Sequence, residues 1–163
     1  DRLILAWSYI HKRHPDWRLH IYGNGPKEQF LEQIYSLKLE NSCILKGSVS
    51  SIVEKYCESS IFALSSRFEG FGLVICEAMA CGLPAVAFDC PWGPKEIIKD
   101  GIDGLLVENG NISELADKIC YLIEHEDIRK EMGKQARRNV ERFKIENIAL
   151  QWEKLFNEIS SNK

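Results

Sequence analysis

The stretch 61–88 constrains the fold of this chain more than any other part of the sequence. A short apolar run is typical of a buried strand, and an Ala- and Met-rich run with helical spacing follows it after a glycine-bearing loop. A Gly-Leu-Pro sequence then ends the helix before a second apolar run. The segments are the strand 61–64, the loop with Gly70 and Gly72, the helix 72–81 and the strand 84–88.

This strand–loop–helix unit predicts an anion site that also binds hydroxyl groups. The first backbone N–H groups of a helix lack internal partners, and the helix dipole favours negative charge there. Glycine at positions 70 and 72 lets a phosphate approach the backbone closely. The carboxylates Glu69 and Glu77 repel phosphate but suit the neutral hydroxyls of a sugar or a ribose. The sequence therefore favours a nucleotide sugar or a sugar phosphate as ligand.

Strands and helices alternate along most of the chain, which predicts an α/β fold with a doubly wound, Rossmann-like parallel sheet. In such sheets ligands bind beyond the carboxyl ends of the strands, where four glycine- or proline-bearing loops fall here. These loops are Gly23–Pro26, Gly47–Val49, Ser65–Gly72 and Asp89–Pro94. The predicted strands are 17–22, 42–46, 61–64, 84–88 and 104–107, and the helices are 1–14, 27–39, 50–58, 72–81, 94–99, 112–124, 126–141 and 145–159.

Five motifs follow one another in a fixed order. They are the strand-linked G-x-G-P of Gly23–Pro26, the short strand ending in Gly47, the E-x7-E of Glu69 and Glu77, the GP-x-E-I-I of 93–98, and the DG-x-x-G-LLV of 100–107. The ordered set resembles the retaining glycosyltransferases of GT-B fold, family 4 (group 1). The resemblance implies that the chain is the C-terminal half of such an enzyme, its donor-binding domain.

The resemblance also implies roles for individual residues. Glu69 would be catalytic, facing the transferred sugar, and Glu77 would bind the ribose hydroxyls of the donor. The remaining donor-binding residues would be Gly70, Phe71, Gly72 and Leu73, with backbone N–H groups on the diphosphate and sugar, Gly23 and Gly25 along the phosphates, and Val49 near the base.

Simpler interpretations compete with some of these roles. Gly23 and Gly25 could only shape a strand-to-helix turn, and Val49 could be a core valine. For Arg67, a surface cation or a salt bridge within the loop is favoured over a phosphate contact.

By the same resemblance the reaction moves a sugar from a UDP-, GDP- or ADP-sugar to an acceptor hydroxyl with retention, without a metal ion or other cofactor. The acceptor would be a glycan or lipid-linked glycan in polysaccharide or cell-envelope synthesis, held by an N-terminal domain absent from this sequence. A cytoplasmic location, peripheral at the inner membrane face, is expected. The alternatives are a nucleotide-sugar epimerase of GT-B fold and a non-catalytic nucleotide-sugar binding module.

The two ends of the sequence predict the domain organisation. A parallel sheet seldom begins with a helix, so we expect a first strand upstream of helix 1–14, with the family's Arg and Lys, and an isolated chain without transferase activity. Residues 1–143 form the donor-binding domain, and 144–163 a C-terminal helix with an apolar stripe. The stripe packs either on the chain's own sheet or on the absent domain. In the second case, the isolated chain would expose it and could dimerise.

Composition excludes several other classes of protein. A formal net charge of −3 gives no support for a nucleic-acid surface. The six cysteines form no C-x-x-C pair, so neither a zinc site nor a redox motif is predicted.

Overall fold

The computed structural model describes residues 1–161 and has the predicted α/β fold with parallel strands. All five predicted strands and all eight predicted helices are present within that range. The strands are β1 (Leu19–Ile21), β2 (Cys43–Leu45), β3 (Phe62–Leu64), β4 (Ala85–Asp89) and β5 (Gly104–Glu108). The helices are α1 (Arg2–Arg13), α2 (Glu28–Ser36), α3 (Ile52–Cys57), α4 (Leu73–Ala80), α5 (Pro94–Ile97), α6 (Ile112–Glu124), α7 (Glu126–Asn139) and α8 (Ile145–Ser161).

Most elements are one to three residues shorter than predicted, and two of the changed boundaries have a clear local reason. Strand β1 begins two residues later than expected because the N–H of Trp17 is bonded in a turn to the carbonyl of His14 (3.2 Å). The guanidinium of Arg18 also donates to the carbonyl of Pro15 (2.9 Å). The predicted helix 126–141 ends earlier, at Asn139, and a 3₁₀ turn formed by Val140–Phe143 continues the chain into α8.

Strand β4 lies at the centre of the three-stranded sheet, and its side chains alternate between two cores. Val86 and Phe88 pack into a cluster with apolar side chains of α1, α2 and α6. Ala85 and Ala87 point the other way, into a cluster with α4, α5 and α7. Helices therefore cover both faces of the sheet, which confirms the doubly wound arrangement.

The described residues form two hydrogen-bonded sheets rather than one continuous sheet. One sheet has the order β1-β2 and the other the order β3-β4-β5. A cavity of about 640 Å³ is lined by residues of both β1 and β3. The N–H of Leu19 in β1 donates to the carbonyl of Ser42, the residue before β2 (2.8 Å). The N–H of Phe62 in β3 donates to the carbonyl of Pro84, the residue before β4 (3.1 Å).

Backbone groups along a strand point alternately to its two sides, so the N–H groups of His20 and Ala63 point away from β2 and β4. Both residues line the cavity. The predicted sheet is thus divided by a cleft between β1 and β3, and each of these strands presents an edge to it.

Helix α8 does not pack on the sheet of this chain. None of the residues Ile145–Ser161 is buried. Its apolar stripe is exposed, with Trp152 55% and Phe156 58% accessible, and the two rings lie 5.6 Å apart. Residues 162 and 163, at the end of the predicted segment 144–163, lie outside the described residues. Among the helices of residues 1–161, none combines the length and the hydropathy needed to cross a membrane.

Hydrogen exchange tests the divided sheet. After correction for intrinsic rates, we expect the amides of His20 and Ala63 to exchange at least ~100-fold faster than that of Val86 in the central strand, because a free strand edge opens at little cost. Amide exchange followed by NMR measures this on the chain as it stands. Equal protection at the three positions would show that the cleft is closed in solution.

Candidate functional site

The loops that follow the strands meet at the carboxyl edge of the fold in two groups. In the first group, the N–H of Glu69 faces the carbonyl of Pro91 (3.5 Å), and the Asn109 side chain faces the carbonyl of Arg67 (3.5 Å). These contacts join the loops after β3, β4 and β5. In the second group, the N–H of Ser48 donates to Oδ1 of Asn24 (3.3 Å), which joins the loops after β1 and β2.

Helix α4 begins at this edge with an open N-terminus. Its N-cap residue, Gly72, has φ +93°, a conformation that favours glycine, and no side chain caps the first turn. A Cβ at this position would also lie 3.2 Å from Cδ1 of Ile75. The first N–H groups of α4 are therefore available to an anion, as the sequence predicts. Leu73, the first helical residue, is exposed.

Glu77 lies in the second turn of α4, where its side chain is exposed and lines the 640 Å³ cavity with Tyr22 and Val74. The hydroxyl of Tyr56 donates to Oε2 of Glu77 (3.2 Å). Burial of the phenol and the negative charge of Glu77 raise the pKa of Tyr56 to about 12. Tyr56 thus remains a hydrogen-bond donor at neutral pH and holds the carboxylate beside the cavity.

Glu69 occupies a different position relative to α4. It is half-buried in the loop before the helix and is not among the residues lining the cavity that Glu77 faces. Its backbone N–H faces the carbonyl of Pro91, next to Cys90, and burial followed by the negative charge of Glu69 raises the pKa of the Cys90 thiol. The two predicted acids therefore lie on either side of the N-terminus of α4, in separate surroundings.

Arg67 forms an ion pair with Asp1, the residue that caps the N-terminus of α1. Arg67 is therefore an exposed surface cation, as predicted, and its salt bridge is made to the N-cap residue of α1 rather than within the loop. The pair ties the loop after β3 to the beginning of α1.

The remaining predicted donor-binding residues are exposed at the same edge. Gly23 and Gly25 follow β1. If either residue carried a Cβ, no other part of the protein would lie within 4 Å of that atom, so both glycines border open space. Val49 is 38% exposed, which argues against the core-valine interpretation. Gly70 is exposed in the loop before α4. Their contacts with a donor remain predictions. Within residues 1–161, no three His, Cys, Asp or Glu side chains group as metal ligands.

Two residues at the site were not predicted from the sequence. Tyr56 comes from α3 and contacts Glu77 across 21 residues of sequence, and Phe143 packs its ring on that of Phe71. Neither residue belongs to a motif. The only signal for Tyr56 is an aromatic residue in a short helix, which equally indicates core packing.

A spectrophotometric titration tests the Tyr56–Glu77 contact. The absorbance difference between wild type and Tyr56→Phe should titrate with a midpoint of about 12. The pKa of Tyr56 is raised only in the folded protein, so its neutral phenol stabilises the fold. This stabilisation is fully present below the ordinary phenol pKa of 10.0 and is lost as pH rises to about 12. Glu77→Gln should lower the midpoint, since the charge is lost while burial remains. A midpoint of 10 in the wild type would contradict the contact.

Comparison with known proteins places this geometry in a family. The family model described as glycosyl transferases group 1 matches residues 1–139. An exopolysaccharide phosphotransferase of Streptomyces coelicolor is 39% identical over 100% of this chain and 18% of its own length. A poly(ribitol-phosphate) alpha-N-acetylglucosaminyltransferase of Staphylococcus aureus is 35% identical over 96% of the chain and 32% of its own length.

A solved structure has the same architecture. Staphylococcus aureus TarM, crystallised as a mutant with fondaparinux, alpha-GlcNAc-glycerol and UDP, superposes with a TM-score of 0.90 at 34% identity. The match covers 96% of this chain and 32% of that one, so the chain spans about a third or less of these relatives. The family match over residues 1–139, together with the parallel fold and the carboxylates around the N-terminus of α4, shows that this chain belongs to the group 1 glycosyltransferases.

Proposed function

We propose that this chain is the donor-binding domain of a retaining glycosyltransferase that uses a nucleotide-diphosphate sugar. One observation carries the proposal: the open N-terminus of α4 lies between Glu69 in the preceding loop and Glu77, an exposed carboxylate in the second turn of the helix. Backbone N–H groups bind phosphate, whereas carboxylates bind hydroxyls, and a nucleotide sugar presents both groups.

In the proposed complex, the N–H groups of Phe71, Gly72 and Leu73 contact the diphosphate and the sugar. Glu77 accepts hydrogen bonds from the ribose hydroxyls, with its orientation held by Tyr56. Gly23 and Gly25 line the phosphates, and Val49 lies near the base.

The proposed sugar transfer depends on how the site stabilises the charges that develop in the transition state. The bond between the anomeric carbon and the diphosphate oxygen breaks, and negative charge grows on the leaving diphosphate while positive charge grows on the sugar. Donors fixed at the helix N-terminus stabilise the leaving group, and Glu69 binds the sugar beside the positive centre. The acceptor oxygen attacks from the same face, and its proton passes to the leaving diphosphate. The proposed step requires no metal ion.

We place UDP first among the candidate nucleotides because UDP is present in the TarM structure. The similarity to an exopolysaccharide phosphotransferase and to a poly(ribitol-phosphate) alpha-N-acetylglucosaminyltransferase supports an exopolysaccharide or a poly(ribitol-phosphate)-type polymer as the product. The proposed acceptor is a glycan or lipid-linked glycan bound mainly by another domain, at the cytoplasmic face of the membrane. Transfer then requires that domain.

We further propose that residues 1–143 form the donor-binding unit and that one more parallel strand fills the cleft between β1 and β3. The contact between Asp1 and Arg67 places the beginning of α1 beside the loop after β3, at the carboxyl edge where such a strand would end. A strand in the cleft would be followed by α1 and then by β1, and together they would form a right-handed βαβ crossover. In a longer form of the protein, the amides of His20 and Ala63 should become protected.

Replacing Glu77 tests the donor site. Glu77→Ala should weaken UDP binding by about 10- to 100-fold, because a hydrogen bond to a charged group contributes about 1.5–3 kcal/mol. Titration calorimetry of this chain with UDP measures the effect. Glu153→Ala, which removes an exposed acid on α8, is the matched control and should leave the affinity unchanged. Equal affinity in wild type and Glu77→Ala would remove the ribose role.

Replacing Glu69 tests the division of labour between the two acids. In the longer enzyme that contains this domain, Glu69→Gln should lower kcat on the order of 100-fold, because the lost charge acts mainly in the transition state. UDP affinity should change by less than about threefold, since Glu69 contacts the sugar rather than the nucleotide. Steady-state kinetics and calorimetry on the same preparation separate the two effects. Parallel losses in turnover and affinity would refute the assignment.

A further inference from the structure

The 3₁₀ turn Val140–Phe143 contacts the loop that carries Glu69, far from it in sequence. The ring of Phe143 meets that of Phe71 edge to face, with centroids 5.4 Å apart and planes at 85°. Aromatic pairs favour this arrangement. Phe71 immediately precedes Gly72, the N-cap of α4, so the contact acts on the residue next to the open helix N-terminus.

Phe143 is itself held in place by its neighbour. The guanidinium carbon of Arg142 lies 4.4 Å from the centroid of the Phe143 ring. The same guanidinium donates to the carbonyl of Asn139 (2.8 Å) and to those of Glu96 and Ile97 at the end of α5. The turn is therefore fixed to both α5 and α7.

The turn also has an apolar anchor. Val140 is buried in the cluster that contains Ile97 of α5 and Ala136 of α7, and Phe143 packs against that cluster. The position of the Phe143 ring is thus set by the core rather than by the exposed helix α8.

On its other side, Phe71 is confined by the backbone of the loop after β4. A Cβ built on Gly93 would lie 2.0 Å from the carbonyl oxygen of Phe71, so only glycine permits this approach. Phe71 is consequently held between Gly93 at its backbone and Phe143 at its ring. Loops at the ends of strands are otherwise mobile, and this loop presents both Glu69 and the N–H groups of Phe71 and Gly72.

We propose that Phe143 is a positioning residue of the donor site, acting through Phe71 to fix the loop 65–72 before ligand arrives. This inference rests on the proposed function for its effect on binding, but the ordering of the loop is independent of any ligand. A prearranged loop binds more tightly because less conformational entropy is lost on binding.

The experiment compares Phe143→Ala with Phe156→Ala, the same change at an exposed ring on α8. Without ligand, Phe143→Ala should speed amide exchange in residues 67–72 by about two- to tenfold, the range expected from the loss of one aromatic pair. UDP affinity should fall by a similar factor. Phe156→Ala should change neither quantity, and Phe143→Tyr, which keeps the ring, should restore both.

A double-mutant cycle separates positioning from general destabilisation. If Phe143 acts through Phe71, Phe143→Ala should have no further effect on loop exchange in a Phe71→Ala background. Should Phe143→Ala fail to fold, Phe143→Leu keeps most of the apolar volume without the ring, and the same comparisons apply. Unchanged exchange in residues 67–72 of the folded variant would overturn the proposal. Because exchange is measured without ligand, it decides the role of Phe143 even if the wild-type chain does not bind UDP.

Discussion

Parallel pairing of β3, β4 and β5 is the constraint on which the rest of the structure depends. Because the three strands run in the same direction, their following loops all emerge at one edge, where 65–72, 90–93 and 109–111 contact one another. Small side chains on β4 let a helix pack close to this edge of the sheet. Ala85 and Ala87 form the face of β4 on which α4 packs, so the helix is held close to the sheet with its N-terminus at the loops.

The N-terminus of α4 supplies only part of the positive charge needed to balance a nucleoside diphosphate. A helix N-terminus is equivalent to about half an elementary positive charge, less than the charge of a nucleoside diphosphate. Arg67, the cation nearest to Glu69 in sequence, is paired with Asp1. We propose that cations outside these residues, such as the Arg and Lys that the family resemblance implies, meet the remaining charge on the leaving group.

Sequence periodicity predicted the elements well because several of the apolar runs here are bounded by glycine or proline. Gly82 and Pro84 end α4 and precede β4, and Gly104 opens β5. Motif spacing likewise put Glu69 before α4 and Glu77 within it, which is where the structure has them, while their roles in donor binding stay predictions. By contrast, Tyr56 and Phe143 act through contacts that join distant parts of the chain, and no local pattern encodes which ring meets which partner. The cleft between β1 and β3 was beyond prediction from the elements alone, since it depends on which strand edges find hydrogen-bond partners.

Helix α8 is separated from the donor site by a turn that the core holds in place. The helix is about 25 Å long at 1.5 Å per residue, and only Lys144 lies between it and Phe143. Because Arg142 and Val140 fix the turn to α5, α7 and the core, the core rather than the exposed helix sets the position of the ring that contacts Phe71. The apolar stripe of α8 can therefore meet another surface without disturbing the loop that precedes α4.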